Sequence, residues 1–158
     1  FNKSNTDYKV LATIENIDFL PPEFHVFSII GQSNALPTTL EVTDGFTSET
    51  LQWGEDNVLK PATTPLEYTL PNSGSGFMNR FAKRYKEVNP NVTIIFVPSA
   101  VSGSGFFNDA WKTTGGLYGD FITRTNACLA SNVDFKFKGV LYHMGKQTLV
   151  CLMILQRI

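Results

Sequence analysis

The sequence lacks an excess of charge of either sign. Its 158 residues carry 13 Lys or Arg side chains against 14 Asp or Glu side chains, a formal net charge of -1. A chain without a strong positive charge has no electrostatic footprint for a nucleic-acid backbone or an anionic membrane surface. No apolar stretch approaches the roughly 20 residues of a membrane-spanning helix. We therefore expect neither nucleic acid nor membrane as a partner, and a small neutral or weakly charged molecule fits better.

Cysteine and histidine are also scarce, with two of each. Cys128 and Cys151 are too few for a disulfide framework, and they lack the CxxC or Cys/His spacing of a metal site. We expect two buried thiols, no metal and no cofactor. The two histidines, His25 and His143, are the only imidazoles from which a catalytic base could come.

The composition that is present indicates one globular domain. With 42% hydrophobic and 13% aromatic residues, the chain is long enough to bury one sizeable core. Residues 1–23 contain the short alternating stretch YKVLATIENI and end near a proline pair. They are either a leader packed on the domain edge or the end of a preceding module. The domain itself is predicted to cover residues 24–147.

Two apolar runs predict buried strands, at His25 to Ile30 and Val92 to Val97, and the segment Phe135 to His143 predicts a third strand. Residues 37–71 are rich in Thr, Pro and Glu with weak periodicity, and they predict a long loop with at most one short strand.

Two helices are predicted between the strands. Phe77, Phe81, Tyr85 and Val88 follow one another at intervals of four, four and three residues, which indicates an amphipathic helix. The second helix is predicted over residues 119–131. Strand, helix, strand, helix, strand is the pattern of a parallel sheet with helices on its faces.

Three polar, glycine-bearing segments follow the three predicted strands. They are GQSN at residues 31–34, SGSG at residues 102–105 and HMG at residues 143–145. Ligands of such sheets bind beyond the carboxyl ends of the strands. The three segments are therefore predicted to meet at one edge of the sheet and to form one site.

In order and approximate spacing, GQSN, SAVSGSGFFNDAW, GGLY and GVLYHMG resemble the SGNH-hydrolase superfamily, in its branch of sialate O-acetylesterases and acetylxylan esterases. The resemblance spans about Val26 to Gly145. It implies an α/β fold, a flavodoxin-like three-layer sandwich with a parallel sheet, incomplete at the C-terminus. It also implies a serine esterase acting on acetylated carbohydrates, and by family analogy an extracellular or periplasmic location.

Carried over to this chain, the resemblance makes Ser33 the nucleophile and the N–H groups of Ser33 and Gly103 the oxyanion hole. The residue chemistry agrees, since a serine in the first turn after a strand can point into the crevice, and glycine allows a backbone N–H to approach an oxyanion closely. Two alternatives remain open. Ser33 could cap a following helix, and Gly103 could be a turn glycine with positive φ.

Further residues of the same segments are candidate substrate contacts, namely Gln32, Asn34, Ser102 and His143. Gln32 and Asn34 could instead satisfy backbone groups of their loop. Trp111 matches a tryptophan that follows the second motif in the family, and it either walls the site or closes the core.

The chain also departs from the family pattern. The third motif usually reads like WHQGE, whereas this chain has YHMGKQ, so that Met144 replaces an amide donor and Lys146 replaces a glutamate. The base of the family comes from an Asp-x-x-His segment, and this sequence contains none. We expect His25, at the start of the first strand, to be a plain surface or edge residue. His143 matches a histidine that is not the base in the family, and it is a weak candidate for a substitute base.

After Lys146 the sequence loses its resemblance to the family. Residues 148–158 form an apolar tail that indicates either an altered or truncated end, or a short helix or strand that covers the sheet. Two functions are therefore expected from the sequence. The chain is a carbohydrate O-acetylesterase or a fragment of one, or it is a non-catalytic sugar-binding or structural domain that kept the fold. The sequence does not predict the oligomeric state.

Overall fold

The structure, a computed structural model, describes residues 22–32, 35, 45–67, 77–105, 111–143 and, for the backbone, 151–153. Its elements in chain order are β1 Glu23–Gly31, β2 Thr50–Trp53, β3 Leu59–Pro61, α1 Phe77–Val88, β4 Val92–Pro98, α2 Gly116–Ala130, β5 Phe135–His143 and β6 Cys151–Met153. Neither described helix is long and apolar enough to cross a membrane.

The six strands form one sheet in the order β3-β2-β4-β1-β5-β6. Strand β1 is paired in parallel with β4 on one side and with β5 on the other. Strand β2 is parallel to β4, whereas the edge strands β3 and β6 are antiparallel to their neighbours. The predicted parallel α/β sheet and its three central strands are confirmed, and β1 is buried because it lies between two neighbours and two helical layers.

Helix α1 covers one face of the sheet. The rings of Phe81 and Tyr85 pack edge-on against Phe27 of β1, with centroids 4.9 and 5.0 Å away. Residues at intervals of three and four lie on one face of a helix. The amphipathic helix predicted from that spacing is confirmed for Phe77, Phe81 and Tyr85, whereas Val88, the last predicted position, is 76% exposed.

Helix α2 covers the other face. Its residue Cys128 is fully buried in a cluster with Val26, Ile95 and Val97. Burial raises the pKa of the Cys128 thiol to about 12, so this thiol is protonated and unreactive at neutral pH. The predicted buried thiol is confirmed for Cys128, whereas the side chain of Cys151 lies outside the described residues.

The segment at residues 37–71 is predicted as a long loop with at most one short strand, but it contains two strands, β2 and β3, which form a hairpin. The sequence pattern did not predict β2 because this strand contains Gln52, a fully buried amide. Its Nε2 donates to the Pro61 carbonyl and the Thr63 hydroxyl, and its Oε1 accepts from the Glu67 N–H at 2.7 Å. A polar glutamine interrupts the apolar residues by which a buried strand is recognised in a sequence. Its hydrogen bonds offset the cost of burying the amide.

The second helix begins at Gly116, about one turn before its predicted start. Glycines at positions 115, 116 and 119 lowered the apparent helix propensity of this turn. Packing of the following residues against the sheet outweighs that intrinsic cost. For the tail, the backbone of residues 151–153 forms the edge strand β6, and the remainder lies outside the described residues, as do residues 1–21. The predicted domain boundaries therefore stay predictions.

The expectation that His25 is a plain surface residue is wrong. Its side chain is buried, with Nδ1 2.8 Å from the Tyr85 hydroxyl and Nε2 2.9 Å from Oε2 of Glu23. Sequence reasoning missed this because Tyr85 lies 60 residues further along the chain. The histidine does lie at the start of β1, at the edge opposite the predicted site.

The buried His25 predicts loss of stability in mild acid. Desolvation lowers the pKa of His25 below its ordinary 6.5. Glu23 raises this pKa without cancelling the effect of desolvation, and the positive charges of Lys138 and Lys136 lower it further. Between the lowered folded value and 6.5 the unfolded chain binds a proton that the folded chain does not, so the free energy of unfolding falls as the pH drops below 6.5. Urea unfolding at pH 7.5 and 5.5 measures this change.

The matched control for that measurement is His25→Gln, which keeps a hydrogen-bonding side chain but cannot titrate. We expect the variant to lose less stability than the native chain between the two pH values. An identical loss in both chains would mean that other groups cause the acid sensitivity.

Candidate active site

The carboxyl ends of β1, β4 and β5 meet at one edge of the sheet. The N–H of Gln32 donates to the His143 carbonyl at 3.2 Å, and the N–H of Val101 donates to the Gly31 carbonyl at 3.0 Å. The structure therefore brings together the described parts of the three predicted segments. Ser33 and Asn34, together with residues 144–145, lie outside the described residues, so the place of the nucleophile at this edge stays a prediction.

Gly31, the first residue of GQSN, permits the close approach of β1 and β5. Its φ is +133°, and a Cβ atom at this position would lie only 2.0 Å from the His143 carbonyl oxygen. No side chain fits there, and L residues rarely adopt this backbone conformation. The glycine of the motif is therefore required by packing and backbone geometry alike.

The turn after β4 presents Ser102 and Gly103 to solvent at the same edge. Gly103 has a φ of +73°, and apart from its two chain neighbours no atom of the described residues lies within 4 Å of where its Cβ would be. Glycine is therefore favoured here by backbone conformation rather than by crowding. This supports the interpretation of Gly103 as a turn glycine, and the same exposed turn is compatible with an N–H that binds an oxyanion.

Ser104 connects this turn to the rest of the site, a role that the sequence analysis missed. Its buried hydroxyl lies 2.6 Å from the Val101 carbonyl and 3.1 Å from the Gly31 carbonyl, and it accepts a hydrogen bond of 2.8 Å from Nε1 of Trp111. Trp111 itself is only 3% exposed. Trp111 thus closes the core, and through Ser104 it also holds the loop that carries Gly103.

His143 ends β5 at this edge. Its ring packs edge-on against Phe77 at the start of α1, with centroids 5.6 Å apart. Its Nδ1 is buried and has no hydrogen-bond partner among the described residues. Buried polar atoms are normally hydrogen-bonded. A ligand or a neighbouring loop could therefore form a hydrogen bond with the Nδ1 of His143.

Gln32 has a clear structural role through its backbone. Besides the bond to the His143 carbonyl, its own carbonyl accepts from the Ala35 N–H at 2.8 Å. Both bonds are made by the backbone, so the two predicted roles of the Gln32 side chain, contact with substrate or hydrogen bonding to its loop, stay predictions. Within the described ranges, no group of three His, Cys, Asp or Glu side chains could hold a metal ion.

Comparison with known proteins relates the chain to carbohydrate esterases. The family model described as "Carbohydrate esterase, sialic acid-specific acetylesterase" matches residues 23–150. None of the curated proteins matches the chain significantly. Two similar solved structures are an Arabidopsis thaliana protein, at 21% identity and a TM-score of 0.65, and NanS, at 23% identity and a TM-score of 0.62.

The matches to the solved structures cover 78% and 80% of this chain but only 58% and 55% of the respective neighbours. The chain thus spans less than two thirds of the length of either. At these identities the likeness shows the fold alone, and it confirms the predicted α/β architecture. The family match includes all three segments of the candidate site, and we conclude that the chain belongs to the carbohydrate esterase family of sialic acid-specific acetylesterases.

Proposed function

We propose that this chain carries the nucleophile half of a carbohydrate O-acetylesterase. The observation that supports the proposal is the convergence of the carboxyl ends of β1, β4 and β5, which places Gly31, the 101–105 turn and His143 together. A polar crevice at the carboxyl ends of parallel strands is where such sheets bind their ligands.

The proposed reaction is acyl transfer through Ser33. The Ser33 Oγ attacks the acetyl carbonyl, the Oγ proton passes to a base, and the N–H groups of Ser33 and Gly103 stabilise the oxyanion. The ester bond then breaks, and the sugar hydroxyl leaves with a proton. Water attacks the acetyl-Ser33 ester, releases acetate and returns the serine. Gln32, Asn34, Ser102 and His143 are proposed to contact the sugar.

The proposed esterase needs a catalytic base, whereas the alternative, non-catalytic function does not. His25 lies at the opposite edge with both ring nitrogens hydrogen-bonded, so it cannot serve Ser33. His143 lies at the correct edge, and the sequence contains no Asp-x-x-His segment. The alternative, a sugar-binding domain without catalysis, is favoured by Met144, a thioether with no N–H to donate.

The 158-residue chain is expected to be a weak esterase by itself. A serine hydroxyl without a base is hardly ionised at neutral pH, so oxyanion stabilisation alone leaves an acceleration of roughly a thousandfold over water. Imidazole added to the solution can accept the Ser33 proton. We expect it to raise the Ser33-dependent rate on an aryl acetate by about tenfold, below the effect of a positioned base.

The measured quantity is the rate difference between the native chain and Ser33→Ala at each imidazole concentration, which removes the direct reaction of imidazole with the ester. His143→Ala is measured beside them. Native turnover near one per second without imidazole, lost in His143→Ala, would identify His143 as the base. No difference between native chain and Ser33→Ala at any concentration would instead establish the non-catalytic alternative.

A further inference from the structure

We propose that Phe19 and Leu20 dock on the amino edge of the sheet, where β1, β4 and β5 begin, opposite the candidate active site. The segment before β1 is then a leader packed on this domain and not the end of a separate module. Both residues lie outside the described part of the chain. Three features of the described edge indicate them as its occupants: a cavity, two exposed valines and the point at which the chain enters β1.

The cavity has a volume of ≈ 510 Å³ and opens at the amino ends of these strands. Its walls include Pro22 and Val92, which offer apolar surface. Among its acidic lining residues, Glu23 has its Oε1 3.0 Å from Nζ of Lys136, and Asp134 is exposed to water. Covering a charge is costly when the charge is left unpaired. Neither carboxylate has to be covered unpaired, so an apolar side chain can occupy the cavity.

Two exposed valines flank the cavity. Val133 is 97% exposed and Val88 is 76% exposed, the highest values among the large hydrophobic residues of the described ranges. Each directly precedes a lining residue of the cavity, Asp134 or Asn89. Val88 ends α1 and Val133 lies between α2 and β5, so the two valines come from the two helical layers. Apolar side chains gain free energy when they leave water, and this edge therefore favours an apolar partner.

The chain itself brings such a partner to the edge. Pro22 is part of the cavity wall, and the Glu23 N–H donates to the Asn91 carbonyl at 3.3 Å, which fixes where the chain enters β1. Three residues of chain span at most roughly 11 Å, which is the farthest that the Cα of Phe19 can lie from that of Pro22. Leu20 is closer still. A group tethered at so short a range has a high effective concentration at the cavity.

The proline pair at positions 21 and 22 lowers the entropy that docking costs. Proline fixes its own φ, and the residue before a proline is biased towards extended conformations. Leu20 directly precedes this pair. The approach to the edge therefore has few conformations to lose, and preorganisation of this kind strengthens binding.

NMR of the full chain with labelled valine methyl groups tests the contact directly. We expect nuclear Overhauser effects between the ring protons of Phe19 and methyl groups of Val88, Val92 or Val133, because these valines line or flank the cavity. The measurement is made on the native chain and does not depend on the folding of a variant. Absence of an effect from Phe19 to any of the three valines would overturn the proposal.

Urea unfolding measures what the contact contributes. Phe19→Ala combined with Leu20→Ala should lower the folding equilibrium constant by about tenfold or more, because two large apolar side chains no longer leave water on folding. The matched control combines Phe1→Ala with Leu11→Ala, the same two changes further from β1 in the same segment. We expect less than a twofold effect in the control. Equal losses in the two double variants, or no loss in the first, would contradict docking through residues 19 and 20.

Discussion

Replacing Ser33 by alanine is expected to lower turnover on an aryl acetate by roughly a millionfold, in a chain joined to the Asp-x-x-His segment of a family relative. Losses of this size follow removal of a triad nucleophile, because the acyl-enzyme can no longer form and only binding and oxyanion stabilisation remain. The thermal unfolding midpoint should stay nearly unchanged, since a small polar side chain is shortened by one atom. Steady-state kinetics and calorimetry on the same preparations measure both effects.

The control for this experiment is Ser131→Ala, the same substitution at the C-terminal end of α2. Ser131 bonds the Cys128 carbonyl there, away from the candidate site, so turnover should not change. A loss of less than tenfold in Ser33→Ala would mean that Ser33 caps a helix or contacts substrate and that the chemistry lies elsewhere.

Gly31→Ala is expected to lower the free energy of unfolding by about 4 kcal/mol. Two costs add, because the left-handed φ of +133° is strained for alanine and the new Cβ would lie 2.0 Å from the His143 carbonyl oxygen. The backbone oxygen cannot move without separating β1 from β5 at the centre of the sheet. A loss of this size is a large share of the roughly 5–15 kcal/mol that stabilises a typical domain, and urea unfolding measures it.

Gly119→Ala is the matched control. Gly119 lies within α2, is exposed, and has no neighbour within 4 Å of its would-be Cβ. The added methyl group should raise the free energy of unfolding by about 0.5–1 kcal/mol, because alanine is the better helix former. Equal effects at the two positions would contradict the close approach of Gly31 and His143.

Local patterns were enough to predict the central sheet and the first helix. Strands β1 and β4 contain continuous apolar runs because they are buried on both faces, whereas β5 alternates Phe and Lys at its start and is mostly half-buried. Helix α1 shows the spacing of three and four residues because only one side of it meets the sheet. The same patterns did not predict β2, in which the buried Gln52 is satisfied by groups 9 to 15 residues away. They also misjudged the burial of His25, whose hydrogen-bond partner Tyr85 is half-buried in another element.

The sequence by itself determined which polar segments leave the strands and, through the rule for parallel sheets, that they meet at one edge. Only the tertiary structure decided how that edge is held together. The bond from Trp111 to Ser104 and the contact of Gly31 with the His143 carbonyl join residues separated in the chain or depend on backbone position to a fraction of an ångström. Such contacts leave no periodicity in the sequence, because they arise from the packing of whole elements rather than from the preferences of neighbouring residues.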